Sequence, residues 1–215
     1  MSQNKNQIIM VGDSGVGKTS LIRKYIYQKN GVHTPTIGAD IQFVDINILN
    51  NQGTVLSSNK LVIWDTAGQE RFHSCPDQYF QQAEGVLVVY DITNYQSFLS
   101  CAEWINKVTL HSINENVQFI LVGNKIDENE KRTVTTSMGL DFARNRGMDF
   151  IEISAQEGIN IDEVFSEMAK KLFIRTLDVN KKPVTNLGYT ELSKTGSFKL
   201  QHDEKNKITR SGCRC

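Results

Sequence analysis

Residues 12–19 read Gly-Asp-Ser-Gly-Val-Gly-Lys-Thr, after the apolar run Ile8-Ile9-Met10-Val11 and ahead of a stretch of helical spacing that opens at Ser20. The pattern is G-x-x-x-x-G-K-[ST] between a strand and a helix, and each fixed residue has a physical task. Gly12, Gly15 and Gly17 permit the tight backbone that turns N–H groups onto one anion. Lys18 adds a point charge near the outer phosphates, and the Thr19 hydroxyl suits the magnesium that accompanies them. The helix starting here aims the positive end of its dipole at the same place. At ordinary glycine usage the pattern arises by chance roughly once in a hundred chains of this length, so a polyphosphate cradle outweighs a merely flexible turn.

Read outward from this loop, strand and helix signals alternate, which predicts a parallel-rich sheet with helices on both faces. The first strand covers about Gln7–Val11, and a helix runs from Lys18 to about Gln28 with Leu21, Ile22, Tyr25 and Ile26 at helical spacing. Lys29–Gly38 reads as a loop. Asp40–Leu49 alternates as an edge strand, with a phase slip at Phe43-Val44 that predicts a bulge. Asn50–Asn59 reads as a long polar connection to a strand at Lys60–Trp64, so the two strands form a hairpin whose loop exceeds the usual length.

Asp65–Gln82 is a loop grading into a short helix, and Gly85–Tyr90 is a fully buried strand. Thr93–His111 reads as one helix with Phe98, Ala102, Ile105 and Val108 on one face, and Trp104 is assigned to packing. Val117–Val122 is a strand, Thr136–Arg146 a helix closed by Gly147, and Asp149–Ile153 a last strand. Asn160 stands where a cap would, with Glu163 three residues on and Ile161, Val164, Phe165, Met168 and Leu172 at helical spacing. Past about Thr176 the periodicity is lost, which predicts a domain over 1–176 and an unpacked tail over 177–215.

The length of 215 residues suits one domain plus that tail. Lys and Arg number 24 and so do Asp and Glu, which gives no support to nucleic-acid binding. From Asp178 onward eight basic residues face four acidic ones, so the tail is mildly positive. The N-terminal residues carry no signal-peptide core and no run nears the length of a membrane span, which predicts a chain made and kept in the cytosol. Cys75, Cys101, Cys213 and Cys215 form neither a disulfide framework nor a zinc spacing, and Cys75 and Cys101 read as free thiols within the domain. The four histidines are scattered and are assigned no chemistry.

In an open parallel sheet, ligands sit outside the carboxyl ends of the strands, and the remaining motifs fall at such ends. Asp65-Thr66-Ala67-Gly68-Gln69-Glu70 follows one strand: the Asp can hold magnesium through water, and Gly68 lets a backbone N–H approach the terminal phosphate. Asn124-Lys125-Ile126-Asp127 follows another, and a carboxylate at Asp127 matches the N1–H and exocyclic amine of guanine, a donor pair that adenine lacks. Ser154-Ala155-Gln156 closes the last strand, where a backbone N–H can reach guanine O6.

The combination resembles the small Ras-like GTPases over residues 7 to about 176. Within them, Ile37-Gly38-Ala39-Asp40, the run from Trp64 through Asp65 and Gln69 to Phe72, Tyr90-Asp91-Ile92-Thr93 and the final Cys213-Arg214-Cys215 look like the Rab family of membrane-traffic GTPases. The resemblance implies an α/β, three-layer P-loop NTPase fold: a monomeric Ras-like G domain with a mostly parallel six-stranded sheet and one antiparallel edge strand. It implies that Ser14, Gly15, Val16, Gly17, Lys18, Thr19 and Ser20 hold the phosphates, and that Thr19 and Thr36 complete a Mg2+ shell with Asp65 behind a water. Thr36 and Gly68 would contact the terminal phosphate only in the triphosphate state, Gln69 would orient the attacking water, and Asn124, Lys125, Asp127, Ser154, Ala155 and Gln156 would hold the base. Ser14 faces the reaction, but the family uses no serine nucleophile.

The implied activity is slow hydrolysis of GTP to GDP and phosphate, by positioning and electrostatics, accelerated by an activating protein. The bound nucleotide then times a GDP/GTP switch that recruits effectors in vesicle-mediated traffic, with Ile41, Trp64 and Tyr79 on the reading surface. An exchange factor and a prenylation or GDI-type escort complete the partners, and no nucleic acid is among them. Cys213 and Cys215 resemble the site of double geranylgeranylation, which implies lipid anchoring on the cytoplasmic face of intracellular membranes, in exchange with the cytosol.

The chain departs from the pattern in places. Between Gly17 and Thr36 it is one residue short, and Lys29, Asn30 and Val32 stand where an aromatic usually leans over the guanine, which predicts weaker nucleotide retention. Gln156 replaces a common Lys. Two rival readings are a P-loop kinase or ATPase, opposed by Asn124–Asp127, and a scaffold that holds nucleotide with little or no turnover, opposed by Thr36 and Gln69.

Overall fold

The computed structural model describes residues 4–30, 40–49, 55–65 and 78–179. Six strands, β1 (Asn4–Val11), β2 (Asp40–Leu49), β3 (Val55–Asp65), β4 (Gly85–Asp91), β5 (Gln118–Asn124) and β6 (Asp149–Ile153), form one sheet in the order β2-β3-β1-β4-β5-β6. β2 pairs antiparallel with β3 at the edge, and every other pairing is parallel. Among the described residues six α-helices flank it, α1 (Lys18–Asn30), α2 (Gln78–Gln81), α3 (Tyr95–Leu99), α4 (Cys101–His111), α5 (Thr136–Arg144) and α6 (Ile161–Val179), with a 3-10 helix over Ile126–Lys131.

Because strand side chains alternate, β1 feeds both faces. Ile8 and Met10 join the cluster under α1 and α6, whereas Ile9 and Val11 join the one under α2–α5. The first cluster is closed by Tyr25 of α1 stacked on Phe165 of α6 at 3.9 Å. Burial pushes the Tyr25 phenol well above its ordinary pKa. All five apolar positions expected on the inner face of α6, from Ile161 to Leu172, are at most 2% exposed. The helix itself continues to Val179, three residues past the expected end of the periodicity.

Five expectations are corrected. The strands Asn4–Val11 and Val55–Asp65 start earlier than their apolar cores, because the polar stretches pair with each other: Asn4 with Asn59 and Lys5 with Lys60. Val55–Asn59, the second half of the supposed loop 50–59, is therefore strand. No bulge occurs at Phe43-Val44, where the register runs unbroken from Asp40↔Asp65 to Ile48↔Ser57 and shifts only between Ile48 and Leu49. The phase slip marks a change in which face carries the apolar residues: Val44 and Ile46 alternate normally into the core.

The helix expected over 93–111 begins at Tyr95, where the Asn94 side chain caps it by accepting from the Gln96 and Ser97 N–H groups, and it is interrupted at Ser100. There the hydroxyl donates back to the Gln96 carbonyl at 3.1 Å, a contact that bends helices. Asn160 does not take the extended backbone of a cap. Its φ is +58°, and its amide donates instead to the Glu152 carbonyl at 2.8 Å, tying the last helix to β6.

Candidate functional site

Strand order reverses beside β1, the position at which open α/β sheets bind ligands, and the Gly-rich loop leaves β1 there. Gly12, Gly15 and Gly17 have φ of +142°, +80° and +99°, a region L side chains rarely adopt. Two of them are also sterically obligatory. A Cβ on Gly12 would lie 2.0 Å from the Val89 carbonyl oxygen of β4, and one on Gly17 would lie 2.3 Å from Nδ2 of Asn124. Around Gly15 the space is open, with nothing within 4 Å of such a Cβ, so the loop arches over room for a ligand. Val16 is buried and anchors the arch in the α1/α6 core, while Ser14, Gly15 and Ser20 are exposed.

Lys18 is only 7% exposed. Its ammonium donates to the Gly12 carbonyl at 2.7 Å and the Asp13 carbonyl at 2.8 Å, so the charge spans the loop from one limb to the other. Thr19 sits half-buried in the first turn of α1. These residue types fit a polyphosphate: a lysine, the N-terminus of α1 and a loop with three glycines at positive φ lie next to one another.

Asn124, at the end of β5 and 2% exposed, is the joint of the site. Its Nδ2 donates to the Val16 carbonyl at 2.8 Å, and its Oδ1 accepts from the N–H groups of Lys125 at 2.8 Å and Ala155 at 3.0 Å. One side chain thus binds the phosphate loop to both segments expected to hold the base. Lys125 has φ +73°, and its ammonium pairs with Asp91 Oδ2 at 2.6 Å. Asp91, at the end of β4, accepts through Oδ1 from the Thr93 N–H and hydroxyl, so its carboxylate is fixed before it meets the lysine.

Asp127 is exposed, and its Oδ1 accepts from the Ser154 hydroxyl at 2.5 Å. Ser154 is fully buried, and its Oγ also accepts from the Glu157 N–H at 2.9 Å. Gln156 is exposed, and its carbonyl accepts from Lys24 of α1 at 3.0 Å.

The structure therefore brings together residues 14–20, Asn124, Lys125, Asp127, Ser154, Ala155 and Gln156 at one end of the sheet. Asp65 ends β3 at that same end, and only its backbone is described. In the β2–β3 hairpin Ile41 stands opposite Trp64, and Tyr79 lies in α2, again with backbone alone described. Thr36, Gly68, Gln69, Cys75, Cys213 and Cys215 lie outside the described residues. Cys101 is a buried free thiol, as expected.

No local pattern assigns a role to Asp91 or Lys24, and Trp104 reads from its spacing as a packing residue. Trp104 does pack on the α2–α5 cluster, but its Nε1–H also donates to Asp13 Oδ1 at 2.9 Å. The tetrapeptide Tyr90–Thr93 was the available signal for Asp91, whereas nothing local marks a contact 91 residues apart.

The family model described as Ras family matches residues 7–174. Among curated proteins, the chain is 36% identical to Ras-related protein RABC1 of Arabidopsis thaliana, over 77% of this chain and 76% of that protein. It is 37% identical to Ras-related protein Rab-1D of Dictyostelium discoideum, over 82% and 84% respectively. It is 34% identical to Ras-related protein Rab-15 of Mus musculus, over 92% and 89%. The family match and these identities agree: the chain belongs to the Ras family, as a Rab small GTPase that binds GTP and GDP with Mg2+, hydrolyses GTP and acts as a switch in vesicle-mediated transport.

Proposed function

We propose the following division of labour within this GTPase. Residues 14–20 would hold the phosphates, with Lys18 near the outer ones, and Thr19 and Thr36 would complete the magnesium shell with Asp65 behind a water. Asp127, preset by Ser154, accepts from N1–H and the exocyclic amine of guanine. The Ala155 N–H, which Asn124 orients, serves O6, and the Lys125 stem lies along the base with its ammonium retained by Asp91. Gln69 orients the attacking water. The bond broken is the terminal phosphoanhydride, and charge developing on its bridging oxygen falls to the Lys18 ammonium and the loop amides.

The observation that carries this reading is Asn124. A single buried side chain holds phosphate loop and base segments as one body, so affinity for base and phosphates is coupled. The test is to identify the nucleotide released on denaturing the purified protein and to measure GDP dissociation with and without Mg2+. About one guanine nucleotide per chain, released faster without Mg2+, supports the assignment. An adenine nucleotide, or none, overturns it. Slow GDP release without an exchange factor would count against weaker retention through the altered 29–32 segment.

Rab proteins generally associate with intracellular membranes and work with effectors, exchange factors, activating proteins and GDI. For this chain we infer a G domain over 1–176, monomeric in itself, and a tail over 177–215 whose Cys213 and Cys215 each carry a geranylgeranyl group. Two chains anchor stably where one is marginal, and the basic excess of the tail adds about 1 kcal/mol per Lys or Arg held at an anionic surface. The protein then cycles between cytoplasmic membrane faces and cytosol. Effectors read Ile41, Trp64 and Tyr79 in the GTP state, and the scaffold without turnover is not favoured. Replacing Cys213 and Cys215 by Ser should leave nucleotide binding intact and the protein wholly cytosolic; persistent membrane association refutes the lipid assignment.

A further inference from the structure

An acidic side chain in an anion-binding loop repels the ligand unless its charge is turned away and paired. Asp13, second residue of the loop, meets that condition through the indole of Trp104 on α4, 2.9 Å from Nε1 to Oδ1. The same residue's carbonyl accepts from Lys18 at 2.8 Å. The limb of the loop that positions the Lys18 ammonium is thus gripped from behind by α4, while the other limb is gripped at Val16 by Asn124. A loop with three residues at positive φ has no regular hydrogen-bond ladder of its own, so such tertiary ties hold its shape. Trp104 is itself fixed: its ring is half-buried against the α2–α5 cluster and lies under the Lys107 ammonium at 5.5 Å. That ammonium is 5.6 Å from the ring of Phe80 in α2.

We propose that Trp104 and Asp13 are a positioning pair that sets the conformation of the phosphate loop, and through it the rate at which nucleotide leaves. The proposal rests on the reading of residues 12–19 as the phosphate loop. Indole nitrogen is a donor only and offers a single N–H, so phenylalanine at 104 keeps an aromatic ring and removes the contact. An asparagine at 13 keeps the accepting oxygen, and an alanine removes it.

The experiment measures GDP dissociation from the Mg2+-loaded full chain in wild type, W104F, D13N, D13A and W104F/D13A. A lost hydrogen bond to a charged group, only part of which is felt at the phosphates, accelerates release roughly five- to twentyfold in W104F and D13A. D13N stays within about twofold of wild type, and the double variant is no faster than W104F alone, since it also removes the unpaired carboxylate. The two tryptophans give two indole N–H resonances in a 15N-labelled sample, and W104F identifies the signal of Trp104. That signal is slow to exchange with solvent in wild type and D13N and fast in D13A.

Off-rates equal to wild type in W104F, or D13N and D13A alike in off-rate and exchange, overturn the pair and leave Trp104 a packing residue. Should W104F fail to fold, the D13N and D13A comparison decides alone. A wild-type chain that holds no GDP overturns the phosphate-loop reading itself, a result distinct from variants that merely match a GDP-holding wild type.

Discussion

Asn124 offers the sharpest quantitative test. Asn124→Ala removes one donor and one doubly used acceptor from a site 2% exposed, stranding the Val16 carbonyl and the N–H groups of Lys125 and Ala155. Each buried orphan costs about 1–3 kcal/mol, and water entering the vacated space recovers part of it. The expected loss is about 3–5 kcal/mol, a large share of the roughly 5–15 kcal/mol that holds a domain together.

Asn124→Asp separates the terms, because one oxygen still accepts from Lys125 and Ala155 while the other now opposes the Val16 carbonyl. Only the protonated carboxyl can donate there, so burial and this contact raise its folded-state pKa above the unfolded value of about 3.9. The sign follows: the bond is fully present below about pH 4 and is lost as pH rises through the folded-state pKa, at up to about 1.36 kcal/mol per unit. Urea unfolding of wild type and both variants between pH 4.5 and 8, at several GDP concentrations to separate ligand linkage, reads both numbers. An Asn124→Ala loss below about 1 kcal/mol, or an Asn124→Asp profile parallel to wild type, refutes the reasoning.

Other substitutions discriminate rigid from yielding neighbours. Gly12→Ala meets the Val89 carbonyl at 2.0 Å, where backbone of β4 cannot move, and should abolish nucleotide retention with a loss above about 3 kcal/mol in thermal unfolding. Gly85→Ala meets the Met168 sulfur at 2.5 Å, a side chain able to change rotamer, and should cost about 1 kcal/mol or less in the same assay. Arg132→Met leaves Glu152, which also accepts from the Thr136 hydroxyl, short of its guanidinium partner, and at this partly solvated pair should cost about 1–2 kcal/mol by urea midpoint.

Burial, and then the negative charge of Asp13, push the Cys101 thiol up to about 12. Cys101 should therefore resist alkylation at pH 8 until the protein is unfolded, as peptide mass spectrometry would show. Its contribution to stability is fully present below the ordinary thiol pKa of about 9 and is lost as pH rises toward the folded value.

Much of the fold is legible in local pattern, because burial on both faces imposes continuous apolar runs at 86–89 and 119–122 and helical spacing from Ile161 to Leu172. The loop at 12–19 is legible for a different reason: positive φ at all three glycines, with the Val89 carbonyl close to Gly12 and the Asn124 side chain close to Gly17, leaves glycine as the residue that fits. The extensions of β1 and β3 are not, since Asn4-Lys5 and Ser57-Ser58-Asn59 have no strand signal alone and become strand only by pairing, Asn4 with Asn59 and the serines with Asn47 and Ile48. Asn160 looked like a cap because its chemistry permits one, and the competing Glu152 carbonyl could be found only in three dimensions.

The sequence by itself determined which chemistries are present and in what order they meet the strand ends, because motif spacing is a property of the chain. The tertiary structure decided which side chains hold which others. Asn124 to Val16, Lys125 to Asp91, and Trp104 to Asp13 are contacts between segments 34 to 108 residues apart. No local propensity encodes such a pairing; it exists because a parallel sheet returns each strand end to the same edge, where groups that cannot stay unpartnered in a dry interior meet.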